Sequence, residues 1–253
     1  MIIEIKKYKE PYFSLYNNFF HLIPKLLRPK VSKLFFIKQD KYDCVFSMGD
    51  LCPTAFLLRE LGVRSFSSPF DWIAGKDIFE RFDLLESDFS GFFNKEDFVV
   101  EFVEKKKRDA YRGVNNRTGW IFPHDFQKAD LDQVWPEFKE KYSRRIKRLK
   151  QRVYGQRVLL VYTSKKEKLD GKKISKVLNK YKESFSIKSL DLLFIQLGDS
   201  VDNPDCLKKM VLSDSLNIYL AEINPNYRDL DWLGHDRRFP KIFGEILFTV
   251  LED

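Results

Sequence analysis

The hydrophobic positions of this chain fall into short apolar runs that alternate with amphipathic segments. The runs "YDCVFSMG", "QRVLLVYTS", "LDLLFIQLGD" and "LNIYLAEI" predict buried β-strands. The segments "PTAFLLRELG", "DGKKISKVLNKYKES" and "RFPKIFGEILFTVLE" predict helices, the first closed by Gly62 and the second capped by Asp170. Because near-continuous apolar strands that alternate with helices are typical of parallel sheets, we predict a single α/β domain with a mainly parallel sheet flanked by helices.

The strongest helical periodicity spans residues 131–153, with apolar side chains on one face at spacings of three and four: Val134, Phe138, Tyr142, Ile146, Leu149 and Val153. The opposite face, in "KEKYSRRIKRLKQR", is densely basic. Such a face could follow nucleic-acid phosphates or could simply be solvated. We favour the solvated face, because no aromatic residues that could stack on bases interleave with the charges.

The segments between these elements give weaker signals. Residues 76–94 look helical, "DFVVEFVEKK" predicts an edge strand, and "NNRTGWIFPHDF" predicts a turn, a strand and a loop. Residues 1–40 are predicted to be an N-terminal segment packed on the body. Within it, residues 11–36 mix aromatic and basic side chains and predict a helix broken near Pro24 and Pro29. A segment resting on a membrane surface is the alternative for them. Residues 41–253 form the predicted α/β domain.

Composition narrows the class of protein. The 253 residues carry 45 Lys and Arg against 37 Asp and Glu, a formal charge of +8 that permits anionic partners without choosing among them. Three cysteines without regular spacing predict neither a disulfide framework nor a metal site, and favour a reduced, cytoplasmic setting. No signal-peptide pattern is present, and no apolar run approaches the length of about 18 residues that a membrane span requires.

The stretch "VFSMGDLCPT" places Cys52 where a predicted strand turns into a helix. Ligands of α/β sheets bind at such strand ends, and Gly49 and Pro53 suit the turn and the first helical turn. Free N–H groups at the helix start would favour a thiolate and hold an oxyanion, whereas a nearby Asp50 carboxylate would disfavour the thiolate. These residues alone fit a nucleophile and a packed core cysteine equally well.

The stretch "SMGDLCPTAFLLRELGVRSFSSPFDWI" resembles a bacterial family of uncharacterised proteins that bears the description "putative papain-like cysteine peptidase". The matching positions are Ser47, Gly49, Cys52, Ala55, Leu58, Arg64, Ser67 and Pro69-Phe70-Asp71-Trp72, with Met48 in place of the usual leucine. "FPHDF" looks like the family's His-Asp-Phe element, at His124, Asp125 and Phe126. The resemblance implies a catalytic Cys52.

A cysteine nucleophile needs a base and a group that orients the base. The resemblance favours His124 as the base. His235, near Asp231, is the rival, and His21 is expected to be a surface or packing residue. For the orienting acid we expect Asp71 first and Asp125 second; Asp71 could equally cap a helix. Asp199 follows a predicted strand and could face the same cleft, although we favour a role as a turn residue for it.

These residues predict acyl transfer through Cys52, with water as acceptor in a hydrolase or peptidase and a sugar hydroxyl as acceptor in an acyltransferase. The strand before the cysteine resembles the nucleophile turn of esterase-like and capsule acyltransferase proteins. Members of the resembled family are often met among surface-polysaccharide genes, which implies a role in bacterial capsule or surface-polysaccharide synthesis. We expect no required cofactor and no metal, and acyl-coenzyme A is a candidate co-substrate.

The alternative is a non-enzymatic accessory protein of polysaccharide assembly that docks on a glycan or a membrane. In that case Cys52 would be an unreactive core residue. The expected partners are a glycan or an acyl or peptide substrate, and the basic N-terminus is a candidate contact with the inner face of the membrane. Nucleic acid is not favoured.

Overall fold

The computed structural model describes residues 2–5, 41–50, 52–104, 110–165, 167–197, 206–223 and 238–253. In chain order its elements are strand β1 Ile2–Ile5, strand β2 Cys44–Asp50, helix α1 Cys52–Glu60, helix α2 Ile78–Glu86, strands β3 Phe98–Val103, β4 Ala110–Asn115 and β5 Ile121–Phe122, helix α3 Leu131–Val153, strand β6 Arg157–Ser164, helix α4 Gly171–Ser184, strands β7 Ser189–Leu197, β8 Cys206–Ser213 and β9 Leu216–Ile223, and helix α5 Arg238–Glu252.

Among the described residues, the main sheet has six strands in the order β1-β8-β9-β7-β6-β2. Strands β2, β6, β7 and β9 run parallel to one another, and β8 and β1 add an antiparallel edge. Helices cover both faces, so the central strands are buried almost throughout. The predicted α/β fold with a mainly parallel, helix-flanked sheet is confirmed.

Successive side chains of each central strand point to opposite faces of the sheet and pack into two separate cores. In β6, Leu160 and Tyr162 face the core shared with α2, α3 and α4, whereas Leu159 and Val161 face the core shared with α1 and α5. This alternation is the two-residue period of a strand, and it explains why these strands show no polar face in the sequence.

A second, antiparallel sheet lies between α2 and α3 in the sequence and has the order β3-β4-β5. It packs on α3 through a cluster of aromatic rings whose centroids are 4.8–6.4 Å apart: Phe98, Phe122, Phe126, Trp135, Phe138 and Tyr142. The predicted edge strand around residues 98–103 is confirmed as β3. This packing fixes the position of the "FPHDF" loop that follows β5.

Helix α3 has the predicted bounds; Val134 is partly buried against the core as predicted, and Trp135 joins the buried face in addition. Helix α2 is shorter than the predicted 76–94, since it starts at a capping box of Asp77 and Glu80 and ends where the chain turns at Asp88, whose φ is +54°. The helix predicted for residues 11–36 lies outside the described part of the chain. None of the described helices is long and apolar enough to cross a bilayer.

Candidate functional site

The turn between β2 and α1 is built around a glycine and a buried serine. Ser47 Oγ accepts a hydrogen bond of 3.0 Å from the backbone N–H of Gly49. Gly49 has a φ of +90°, and a Cβ at this position would lie 2.6 Å from Arg81 Nη1. Only glycine fits both the backbone conformation and the space. The chain then enters α1 with Cys52 as its first residue.

The structure brings Cys52 and His124 together although 72 positions separate them in the sequence. Cys52 Sγ lies 3.5 Å from His124 Nε2. Cys52 is half-buried and His124 is exposed. The His124 ring also packs edge-on against Trp72, with ring centroids 5.7 Å apart. A thiol and an imidazole at this distance form the smallest unit that can generate a nucleophilic thiolate.

Burial is the largest influence on the Cys52 thiol and raises its pKa. The carboxylates of Asp125 and Asp50 raise this pKa further, while the backbone N–H of Cys52 and the charge of Arg81 lower it. The expectation that the helix start would favour a resting thiolate is therefore outweighed by desolvation. The cysteine rests as a thiol, and it needs a base to become nucleophilic.

Arg81 is a feature of the site that the sequence did not reveal. Its side chain is fully buried beneath Gly49, and its Nη2 lies 3.6 Å from Asp50 Oδ1 and 3.2 Å from the carbonyl oxygen of Lys76. Three aromatic rings lie within 6.0 Å of its guanidinium carbon: Phe70, Trp120 and Tyr162. A buried cation thus lies under the turn that presents Cys52.

Asp71, the first candidate for the orienting acid, lies in a buried salt bridge. Its Oδ2 accepts hydrogen bonds from Arg64 Nη1 at 2.8 Å and from the backbone N–H of Ser68 at 3.1 Å. Burial raises the pKa of Asp71 to about 7, although the charges of Arg64 and Arg145 oppose this rise. The "PFDW" segment contacts His124 through Trp72.

Asp125, the second candidate, accepts a hydrogen bond of 2.7 Å from the hydroxyl of Tyr142 and pairs with Lys141. Asp71 is thus bonded to Arg64 and Ser68, and Asp125 is bonded to Lys141 and Tyr142. Each acid lies one residue from a group of the site, since Asp71 precedes Trp72 and Asp125 follows His124.

The structure does not place the four remaining sequence candidates. His21, Asp199, Asp231 and His235 lie outside the described residues. Cys44 is buried in the core, and burial raises the pKa of its thiol to about 12. Within the described ranges, no group of three or more His, Cys, Asp or Glu side chains could hold a metal ion.

The part of the chain that contains this site is similar to known proteins. A family model with the description "Putative papain-like cysteine peptidase (DUF1796)" matches residues 43–197, from β2 to the end of β7. The curated "Uncharacterized protein R408" of Acanthamoeba polyphaga mimivirus is 23% identical over 203 residues, which cover 74% of this chain and 80% of that protein. No solved structure matches the chain.

Proposed function

Because the chain belongs to the family described as putative papain-like cysteine peptidases, we propose that it is an enzyme that breaks an acyl bond through a covalent intermediate on Cys52. The observation that carries this proposal is the distance of 3.5 Å between Cys52 Sγ and His124 Nε2, at the carboxyl end of a parallel strand. Cys52 is the nucleophile and His124 the general base.

The first step is a proton transfer. The raised pKa of Cys52 keeps it a neutral thiol, so the lone pair on His124 Nε2 takes the proton as the sulfur attacks. The proton on the neutral imidazole then resides on Nδ1. A distance of 3.5 Å is long for this transfer and would shorten when substrate fills the site.

The second step forms a carbon–sulfur bond while the carbonyl electron pair moves to oxygen. The N-terminal turn of α1 has backbone N–H groups without partners inside the helix, except at Pro53, which has none. Those groups and the positive helix end stabilise the oxyanion. When the intermediate collapses, the leaving group takes the proton from the His124 imidazolium and an acyl thioester remains on Cys52.

The acceptor of the acyl group decides between hydrolysis and transfer. Water, activated by His124, gives a hydrolase or peptidase, and this reading is supported by the family and by the exposure of the His124 ring. A sugar hydroxyl gives an acyltransferase of surface-polysaccharide synthesis, with acyl-coenzyme A as acyl donor. The exposed basic face of α3 favours this second candidate, because the donor carries phosphates.

Asp71 and Asp125 are positioning residues in this proposal. Asp71 holds the loop that carries Trp72 against the His124 ring. Asp125 ties the residue after His124 to Lys141 and Tyr142 of α3. Both carboxylates influence the base through the backbone and the packing around it.

Trapping of the acyl intermediate tests the proposal. The protein is mixed with p-nitrophenyl acetate, quenched in acid and mapped by peptide mass spectrometry. We expect an acetyl group on the peptide of Cys52 that hydroxylamine removes, as expected for a thioester. Cys52→Ala should abolish the adduct, whereas Cys44→Ala, which removes the buried thiol of the same strand-turn region, should keep it. An adduct of equal yield in Cys52→Ala would refute the assignment of the nucleophile.

A further inference from the structure

A groove lies along the solvent side of α3 and is bordered by the loop that precedes the "PFDW" segment. Its volume is about 470 Å³, within the usual range for small-ligand sites. Four of its lining side chains are cationic and two are acidic: Lys141, Arg144, Arg145, Arg148, Glu137 and Glu140. Ser67, from the loop before the "PFDW" segment, also lines the groove.

The positive charges are not all neutralised within the protein. Arg144 pairs with Glu140 at 2.9 Å, and Lys141 pairs with Asp125. Arg148 has no carboxylate partner among the described residues, and Arg145 Nη1 is a buried nitrogen without a hydrogen-bond partner there. The arginine-rich part of the groove therefore keeps an excess of positive charge.

The two ends of the groove differ in charge. Glu137 and Arg148 are eleven positions apart on α3, which corresponds to about 16 Å along a helix axis. Glu137 lies at the end nearer the helix start, and Arg144, Arg145 and Arg148 lie at the other end. An anion would therefore bind toward Arg148, and Glu137 would oppose it.

Several contacts connect the groove with the proposed catalytic pair. Lys141 lines the groove and holds Asp125, the residue next to His124. Arg145 stacks over the Tyr142 ring, with its guanidinium carbon 5.2 Å from the ring centroid, and its charge acts on Asp71. Lys141 and Asp125 thus connect the groove to the residue next to His124.

We propose that this groove binds a diphosphate group of a phosphorylated substrate and so directs the acyl bond toward Cys52. Planar guanidinium groups bind phosphate oxygens through paired hydrogen bonds, and three arginines within two helical turns suit two linked phosphates. The role in substrate placement rests on the proposed function, whereas the binding of the anion does not.

Calorimetric titration with inorganic pyrophosphate tests the binding without any turnover. We expect the wild-type protein to bind pyrophosphate and Arg148→Gln to bind it about tenfold more weakly, since one charge-assisted contact is lost. Lys139→Gln is the matched control: it removes the same charge from an exposed position of α3 outside the groove and should leave the affinity unchanged. Glu137→Gln should bind pyrophosphate more tightly.

Two comparisons complete the test. Stronger competition by coenzyme A than by UDP would identify a thioester donor as the source of the diphosphate, and the reverse order would identify a nucleotide-linked donor. No binding of pyrophosphate, or equal weakening by Arg148→Gln and Lys139→Gln, overturns the proposed groove. Tighter binding of a single-stranded oligonucleotide, equally weakened by both variants, also overturns it, because the basic face would then act as a general polyanion surface. If no acyl intermediate forms but pyrophosphate still binds, the proposed acyl-transfer function is refuted and the proposed anion site in the groove stands.

Discussion

At the scale of single residues, the Cys52 thiol lies between opposing charges. Burial and the carboxylates of Asp50 and Asp125 hold its pKa above the usual value, and Arg81 and the backbone N–H of Cys52 act in the other direction. Because Arg81 is fully buried, its charge is screened little by salt. The fraction of thiolate at neutral pH is therefore sensitive to single substitutions near the turn.

Neutralising Asp50 should make Cys52 more reactive. Asp50→Asn removes a carboxylate that raises the pKa of Cys52 and releases Arg81 from its ion pair, so both changes lower this pKa. We expect the pH profile of Cys52 alkylation by iodoacetamide to move to lower pH, with a rate about threefold to tenfold higher at pH 7. Asp83→Asn, at an exposed position of α2, should leave the profile in place. A slower reaction of Asp50→Asn would contradict this view of the turn.

The residues of the site differ in how readily the sequence reveals them. Gly49 and Cys52 are local features of one turn, so their spacing is sufficient to place them there. His124 was identified by its motif, because contacts over 72 positions leave no periodic signal. Arg81 could not be found, since an arginine in "FERFDLLE" looks like a surface residue until the packing of α2 buries it.

At the scale of elements, the loop between α1 and α2 holds its "PFDW" segment against the His124 ring. The Arg64–Asp71 salt bridge and the Ser68 hydrogen bond close this loop, and Trp72 then reaches the His124 ring. The side chains of Arg64 and Asp71 are 12% and 0% exposed, so removal of one partner leaves a charge in a poorly solvated place.

Loss of Asp71 should therefore destabilise the protein. We expect Asp71→Ala to lower the free energy of unfolding by about 3–5 kcal/mol, because Arg64 stays buried without its counter-charge. Urea unfolding followed by circular dichroism measures this change. Asp83→Ala, at an exposed position, should alter it by less than about 0.5 kcal/mol. A loss below about 1 kcal/mol for Asp71→Ala would show that this salt bridge contributes no more to stability than an exposed ion pair does.

Elements with a strong and uninterrupted pattern were predicted well. Helix α3 shows its apolar period over 23 residues, so its bounds could be predicted, and the Asp130 side chain caps its first turn. Strands β4 and β8 were missed, because they carry charged side chains such as Arg112, Lys208 and Lys209. Their pairing depends on partners distant in the sequence, which a local pattern does not contain.

At the scale of the whole molecule, the proposed catalytic pair joins two layers. Cys52 comes from the end of the main sheet, and His124 follows the small antiparallel sheet that packs on α3. Phe126, two residues after His124, is 2% exposed and packs against Gly113 of β4. The docking of the small sheet therefore sets the distance between thiol and imidazole.

A side chain at Gly113 should disturb this docking. A Cβ there would lie 2.0 Å from Phe126 Cε2, so Gly113→Ala must displace Phe126 and the loop of His124. We expect a loss of about 1–3 kcal/mol in unfolding free energy and slower alkylation of Cys52 at pH 7. Gly171→Ala is the control, because its nearest neighbour, Met210 Sδ, would be 3.7 Å away in ordinary contact. Full stability and reactivity of Gly113→Ala would argue against this coupling.

The most direct test of the nucleophile–base pair is the rate of Cys52 alkylation by iodoacetamide from pH 5 to alkaline pH, mapped by peptide mass in the wild type and in His124→Gln. If His124 deprotonates the Cys52 thiol, the variant should react about tenfold or more slowly at neutral pH, and the two rates should converge where hydroxide ionises the thiol directly. Equal rates at every pH, or a Cys52 that reacts only after unfolding, would contradict the pair and favour a non-enzymatic protein with a packed cysteine.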